Sequence, residues 1–508
     1  MISLKNITDK RVDFPCLKSI SIGRAYELLR ADVREYLTEA RKEIGFEYCR
    51  FHALFHDDMN VVYTKENGKI GYHWHHIDKI YDFLLSIGMK PFVELNPMPE
   101  ALASGDTTMF WYKMNVTPPK DMKQWSELVF NFVKHLAERY GNEEVSKWYF
   151  EVWNEPNLEC FWTGTREEYF ELYKHSASAI KAVDNRFKVG GPATAVADWI
   201  GDTIEFCSNN DVPLDFITTH VYPMDEHCRY KDGDSPYKPG EYYRATVKGV
   251  YDTVKNSKMP DLKIYWTEYN TLSCNSSETV QFLGNSALDR LYAASCIVRN
   301  MTEAMDLCES ISYWVVSDIF EEARMPLLPF SGTYGLMTIS GIKKAAYNAF
   351  MFMKKMRGRL IELDFDAPVG AGIIAAEENG VYRLLLWNNI IPEAERRTSW
   401  KDKVKLNIDN PDCCIAKEAR IREGHGSPYE AWLKLGKPSN LSLFDEEFLR
   451  AKSEPEYMFY NIEKSGEIEF SLGPDEVAYI EITARDLSNI EGIVKSSNPE
   501  LEKKLKTY

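Results

Sequence analysis

The amino-acid sequence predicts a (β/α)8 barrel, the TIM-barrel fold, joined to an accessory β-sandwich. Two observations predict the barrel. Eight short, strand-like apolar runs recur through the first two-thirds of the 508 residues, and stretches with apolar residues at helical spacing lie between them. One observation predicts the sandwich: after about residue 345, helical stretches give way to strand-like runs that turn residues separate.

The eight barrel strands are predicted from runs rich in β-branched and aromatic residues. Their mean spacing of roughly 40 residues suits strand–helix units. The runs cover residues 18–24, 48–54, 90–96, 148–155, 187–193, 215–222, 263–270 and 310–317. Three of the stretches between them, 26–45, 75–88 and 125–141, end in Gly, as helices often do. An open doubly wound sheet is the alternative, but the sequence has no GxGxxG or Walker pattern.

The sandwich is predicted from alternating, strand-like segments in the last third of the chain. These segments are 370–389, 402–408, 418–426 and 466–484. The N-terminal ISLKNI is expected to add a strand to the same sheet. The predicted units are therefore an N-terminal strand joining the sandwich (1–14), the barrel (15–344), the sandwich (345–485) and a polar C-terminal tail (486–508).

Composition and charge exclude several classes of function. The net charge is −16 and the basic residues are scattered, which argues against a nucleic-acid partner. No apolar run is long enough for a membrane span, and the N-terminus lacks the apolar segment of a signal peptide, so a cytoplasmic protein is expected. The cysteines form no CxxC or His-spaced cluster, and HHID at 75–78 opens a predicted helix. We expect no cofactor and no metal.

Two carboxylates stand at predicted strand ends. Glu155 closes the fourth strand in YFEVWNEPN, and Glu268 closes the seventh in WTEYN. Catalytic groups of a (β/α)8 barrel lie at the C-terminal strand ends, so both should face one barrel mouth. A protonated and an ionised carboxylate are the two groups that glycoside hydrolysis needs. Glu151 lies four residues before Glu155, too deep in the strand for this role, and is assigned to a buried polar network whose partner the sequence does not identify.

Longer stretches carry a family resemblance. WNEPN at 153–157 and TEYN at 267–270 resemble the two signature segments of clan A glycoside hydrolases. Within that clan the sequence resembles glycoside hydrolase family 39, the β-xylosidases, over roughly residues 15–450. The stretches that carry the resemblance are 50–59, 77–96, 110–121, 150–162, 220–223, 313–322 and 423–436. The resemblance implies a retaining, two-step mechanism in which Glu155 is the general acid/base and Glu268 the nucleophile.

The resemblance also implies a set of substrate-binding residues. Asn154 would hydrogen-bond the sugar 2-hydroxyl, and Arg50 would keep Glu268 ionised. The other implied residues are His52 in the glycone pocket, His220 and Tyr222 on the sixth strand, Trp314 on the eighth strand, Glu321 and Glu322 in the loop after it, and Phe110 in the third loop. Each also has an ordinary structural explanation: a strand-end turn, a buried ion pair, a core side chain or a solvated loop.

The expected function is an exo-acting β-xylosidase that releases xylose from the non-reducing ends of short β-1,4-xylo-oligosaccharides. Alternatives are an arabinosidase or an α-L-iduronidase-like enzyme on the same scaffold, and a carbohydrate-binding protein without catalysis. The acidic pair Glu321 and Glu322 argues against a uronate substrate. By analogy with the family, a homo-oligomer is an open expectation. Ala53 stands where the family commonly has Gly, and the loop 324–337 replaces a Gly-rich stretch, which puts the substrate preference rather than the reaction type in doubt.

Overall fold

The barrel prediction is confirmed. The computed structural model describes residues 2–223, 225–226, 235–238, 240–272, 287–322, 325–391, 398–406, 414–462 and 465–484. Eight parallel strands close into a barrel. In chain order they are Ser19–Arg24, Tyr48–His52, Lys90–Leu95, Tyr149–Val152, Lys188–Thr194, Phe216–Val221, Lys263–Tyr269 and Ser310–Tyr313.

Helices cover the outside of the barrel and bury apolar faces against it. The predicted helices are found at Ala31–Glu43, His75–Ser86 and Met122–Tyr140. The other helices of the described barrel region are Asn142–Val145, Arg166–Val183, Ile200–Asn209, Tyr242–Lys255, Leu291–Ala304 and Ala345–Lys355. On the second strand, Cys49 and Phe51 face these helices, whereas Arg50 and His52 face the barrel interior, as the strand period of two requires. None of the described helices is both long and apolar enough to cross a membrane.

The fourth strand is shorter than predicted. It ends at Val152, three residues before Glu155. Trp153 and Glu155 have positive φ angles of 70° and 45°, and this left-handed backbone breaks the extended conformation. The backbone N–H of Glu155 instead donates to the carbonyl oxygen of Ala193 at 2.8 Å. Glu155 therefore lies in a tight loop at the barrel mouth rather than on the strand itself.

The accessory region is one nine-stranded, mainly antiparallel sheet with a sandwich-like core. In sheet order its strands are Glu456–Asn461, Cys414–Ile421, Val477–Ala484, Val381–Asn388, Ala371–Glu378, Arg359–Asp364, Ile2–Arg11, Trp400–Lys405 and Glu467–Leu472. Residues from both ends of this order, such as Ala416 and Phe470, share one hydrophobic core, so the sheet curls over itself. The N-terminal strand pairs antiparallel with Arg359–Asp364 and parallel with Trp400–Lys405.

The sheet packs directly on the barrel. Ile373 and Ala375 point into the core of the sheet, while the alternate residues Ile374 and Ala376 join the core of the barrel. The helix Ala345–Lys355 begins at the predicted 344/345 boundary, yet its Phe350 ring lies 5.7 Å from Phe46 and 5.5 Å from Tyr313 of the barrel. The domain boundaries themselves stay predictions, and the predicted tail lies outside the described residues.

Two short helices interrupt the sheet. They span Tyr429–Lys434 and Leu443–Lys452 and were not predicted from the sequence. Tyr429 and Trp432 pack on Phe330, which lies in the chain that follows the eighth barrel strand. The accessory region therefore packs against the segment that follows the eighth barrel strand.

Candidate active site

A buried arginine organises the interior of the barrel mouth. Arg50 is fully buried on the second strand and donates to Glu151 at 2.6 Å, to Glu268 at 2.9 Å and to the side-chain oxygen of Asn154 at 2.9 Å. Its Nη2 also lies 2.7 Å from Glu94. Burial alone would lower the pKa of Arg50, but the carboxylates of Glu151, Glu94 and Glu268 raise it above its ordinary value. Arg50 therefore stays charged and fixes four side chains from three other strands or their ends.

Glu268 reaches this centre through an irregularity in the seventh strand. Thr219 pairs with Trp266 and His220 with Glu268, so the seventh strand carries one extra residue there. Such a bulge re-aims side chains, and here both Thr267 and Glu268 face the interior. Thr267 donates its hydroxyl to Glu151 at 2.7 Å. The Glu268 carboxylate accepts from Arg50 at 2.9 Å and from the Tyr222 hydroxyl at 2.9 Å, with His52 Nε2 at 3.3 Å. Oε1 of Glu268 thus accepts from a charged donor, and Oε2 accepts from a neutral one.

Glu155 occupies a different environment. Its side chain is mostly buried and lies 2.8 Å, Oε1 to Nδ1, from His220. Burial raises the pKa of Glu155 to about 7, and Glu94 adds to the rise while Arg50 opposes it. Burial likewise lowers the pKa of His220, so its ring is neutral near neutral pH. A carboxyl group with a pKa near 7 can both give and take a proton at neutral pH.

The two carboxyl groups lie close together. One oxygen of Glu155, one oxygen of Glu268 and one ring nitrogen of His220 are all within 4.8 Å of one another. Retaining glycosidases place their carboxyl groups about 5–5.5 Å apart, and inverting enzymes about 6.5–9.5 Å apart to admit a water. The distance fits the retaining class. The same three side chains could also chelate a cation, so the expectation of no metal stays a prediction.

His52 and Trp314 form one wall of the centre. The two rings lie 4.5 Å apart, and both side chains are almost completely buried. His52 Nδ1 lies 2.9 Å from both oxygens of Glu94. Burial lowers the pKa of His52 to about 3, so the ring is neutral. Trp314 follows the last residue of the eighth strand, Tyr313, rather than lying on it.

The two glutamates after the eighth strand point to different partners. Glu322 Oε1 lies 3.9 Å from His52 Nε2, which brings it to the same centre. Glu321 instead accepts from Arg24 at 2.7 Å and lies 3.8 Å from Arg30. The remaining predicted residue, Phe110, packs its ring 5.4 Å from Tyr112 and 5.6 Å from Phe161 in the third and fourth loops.

Sequence reasoning missed Glu94. This buried carboxyl group contacts both Arg50 and His52, and burial raises its pKa well above the ordinary value. Glu94 also pairs directly with Glu151 across the third and fourth strands. A signal was available: both are lone acidic residues at inward positions of apolar strands, KPFVEL and YFEV, which is costly without a partner. The partners of Glu151, which the sequence did not identify, are Arg50 and Thr267.

Two buried carboxyl groups this close together at the C-terminal mouth of a (β/α)8 barrel fit the class of glycoside hydrolases. The family model of glycosyl hydrolases family 39 matches residues 5–468. The chain belongs to this family of retaining glycosidases, which confirms the resemblance seen in the sequence.

Several known proteins are similar to this chain over most of its length. A β-xylosidase from Caldicellulosiruptor saccharolyticus is 39% identical over 478 residues, covering 92% of this chain and 95% of that protein. A β-xylosidase from Geobacillus stearothermophilus is 35% identical over 430 residues, covering 82% of each. The crystal structure of a monomeric β-xylosidase from Caulobacter crescentus CB15 superposes with a TM-score of 0.83 at 32% identity, covering 95% of this chain and 99% of that one.

Proposed function

We propose that the chain is a β-D-xylosidase that releases xylose from the non-reducing ends of short β-1,4-xylo-oligosaccharides. The proposal depends on one observation: a carboxyl oxygen of Glu155 lies within 4.8 Å of a carboxyl oxygen of Glu268, and the two groups have different hydrogen-bond partners. The names of the relatives at 39% and 35% identity support the xylose specificity. The oligomeric state stays a prediction, and the Caulobacter relative is described as monomeric.

In the proposed first step, Glu268 attacks the anomeric carbon while Glu155 gives its proton to the leaving oxygen. The product is a xylosyl ester on Glu268, and the shortened oligosaccharide leaves with the proton. In the second step, Glu155 takes a proton from water, and the resulting hydroxyl displaces Glu268 from the anomeric carbon. Xylose leaves with its original configuration, and both carboxyl groups return to their starting states.

The neighbouring residues support this assignment of roles. Asn154 receives a hydrogen bond from Arg50 on its oxygen, while its buried Nδ2 has no hydrogen-bond partner within the described part of the chain. That donor suits the 2-hydroxyl of the bound sugar. His220 holds Glu155, Tyr222 holds Glu268, and Glu322 is the carboxylate that suits sugar hydroxyls beyond His52. We assign Trp314 to the floor of the sugar site and Phe110 to its rim.

A panel of nitrophenyl glycosides tests the substrate. Side-by-side assays with β-xyloside, α-arabinoside and β-glucoside should give the highest kcat/KM for β-xyloside. A uronate substrate is disfavoured, because Arg50 is paired with three carboxylates and Arg24 with Glu321 and Asp58. No cleavage of β-xyloside would defeat the proposal, and binding of xylo-oligosaccharides without cleavage of any glycoside would favour a binding protein.

The pH dependence of kcat/KM should report the ionisation of Glu155. Because burial raises its pKa to about 7, the protonated acid persists below that pH and is lost above it. With xylobiose, whose leaving group needs the proton, kcat/KM should fall about tenfold per pH unit above this value. A dinitrophenyl β-xyloside has a leaving group that departs without a proton, so its alkaline limb should be weak or absent. Equal alkaline limbs for both substrates would show that Glu155 is not the acid.

A further inference from the structure

A second buried carboxyl group lies at the barrel mouth, outside the pair. Glu27 is on the short 3-10 helix Ala25–Leu29, directly after the first barrel strand, and is fully buried. Its Oε1 accepts the backbone N–H of Glu321 at 2.9 Å. Burial raises the pKa of Glu27 to about 8, and the nearby Glu321 carboxylate adds to the rise. The group is therefore mostly a neutral acid at neutral pH.

The backbone around Glu27 is shaped to hold this carboxyl group. A Cβ atom on Gly23 would lie 2.8 Å from both carboxyl oxygens of Glu27. Only the missing side chain of Gly23 leaves room for the carboxyl group where it stands. Arg24, the next residue, donates to the Glu321 carboxylate at 2.7 Å. Glu321 is thus held twice: Glu27 accepts its backbone N–H, and Arg24 donates to its carboxylate.

The residue held in this way precedes Glu322. The Glu322 carboxylate lies 3.9 Å from His52 Nε2, and that nitrogen is 3.3 Å from the Glu268 carboxylate. A shift of the Glu321 backbone would therefore move Glu322 relative to Glu268. A misplacement of about 1 Å in a binding group is enough to cost a large factor in rate or affinity.

We propose that Glu27 is a positioning residue: its buried carboxyl group fixes the Glu321 backbone and so sets where Glu322 meets the sugar hydroxyls. The inference rests on the proposed function for the role of Glu322 in sugar binding. It assigns Glu27 no contact with substrate. Glu27 acts on binding of the sugar and leaves the proton transfer and the nucleophilic attack to Glu155 and Glu268.

Two substitutions test the proposal from opposite sides. Glu27→Ala removes the acceptor. Gly23→Ala keeps Glu27 but displaces its carboxyl group, and the added Cβ would also lie 3.0 Å from Cδ2 of Phe320. Each should raise KM for nitrophenyl β-xyloside about tenfold, because a displaced Glu322 would lose about one buried hydrogen bond to the sugar. The kcat of each variant should stay within about threefold of the parent protein. Each should also speed hydrogen exchange in a peptide containing residues 318–322 about tenfold. Glu27→Gln mimics the neutral acid and keeps the acceptor oxygen, so it should restore KM and exchange.

Asp215→Ala is the matched control. Its carboxylate also accepts a backbone N–H, from Val189 at 2.8 Å, but at the strand starts rather than at the mouth. It should lower thermal stability and leave KM unchanged. Unchanged KM in both Glu27→Ala and Gly23→Ala, with the parent protein active, would overturn the proposal. If the parent protein cleaves no β-xyloside, the proposed function fails, and hydrogen exchange still decides whether Glu27 holds Glu321: unchanged exchange overturns that hold.

Discussion

Replacing Glu268 with alanine is expected to abolish turnover, lowering kcat for nitrophenyl β-xyloside by at least about 10⁴-fold. The substitution removes the proposed nucleophile and leaves the anomeric carbon with water alone. Because Arg50 and Tyr222 still line the vacated space, a small anion can enter it. Added azide should therefore restore nitrophenol release and give the α-xylosyl azide, which is inverted relative to the substrate. The rate of nitrophenol release, with and without azide, and the anomeric configuration of the product are the measurements.

The control for this experiment is Glu167→Ala, an exposed glutamate in the first turn of the helix Arg166–Val183, which should keep the parent kcat. A 2-deoxy-2-fluoro-xyloside should label the parent protein on the peptide that contains Glu268. Full activity of Glu268→Ala, or a label on another residue, would show that the nucleophile has been assigned wrongly.

Replacing Arg50 with methionine is expected to have the largest effect on stability. It leaves Glu94, Glu151 and Glu268 buried around the position of one lost cation. Breaking a buried ion pair on one side typically costs about 3–5 kcal/mol of the free energy of unfolding. Denaturant unfolding measures the loss.

Two variants bracket this result. Arg50→Lys keeps the charge but cannot donate to four partners at once, so its stability should fall between the parent and methionine variants. Arg186→Met removes an exposed arginine that pairs with Asp184 and Glu143, and it should unfold close to the parent. A methionine variant as stable as the parent protein would contradict the prediction.

The sequence predicted the barrel, and the meeting of Glu155 and Glu268 at one barrel mouth, because both depend on local patterns. Strand period and helix period repeat along the chain, and Glu155 and Glu268 stand at the ends of two strand-like runs with recognisable neighbours. The fourth strand was predicted too long because nothing local revealed the left-handed backbone at Trp153 and Glu155. Single residues with positive φ that are neither Gly nor Asn are held by their surroundings.

What the sequence could not supply is register between strands. Glu94 meets Arg50 and His52 only when the second and third strands lie side by side at one offset. Glu27 and Glu321 are 294 positions apart and meet only when the eighth strand closes on the first. The bulge that turns Glu268 inward depends on pairing with the sixth strand. These contacts follow from closure of the barrel, which no single segment encodes.

Successive side chains of one strand alternate between two cores: Ile373 and Ala375 face one, and Ile374 and Ala376 face the other. The chain therefore cannot be cut between sheet and barrel without exposing apolar side chains. One set of side chains completes the interior of the sheet, and the other completes the interior of the barrel. Tyr479 of the sheet likewise lies 6.1 Å from Phe352, ring to ring, on the last barrel helix. The accessory sheet thus contributes side chains to the hydrophobic core of the barrel. Excising it would strip apolar surface from the barrel, so the two parts should melt together, and shortened catalytic fragments should aggregate.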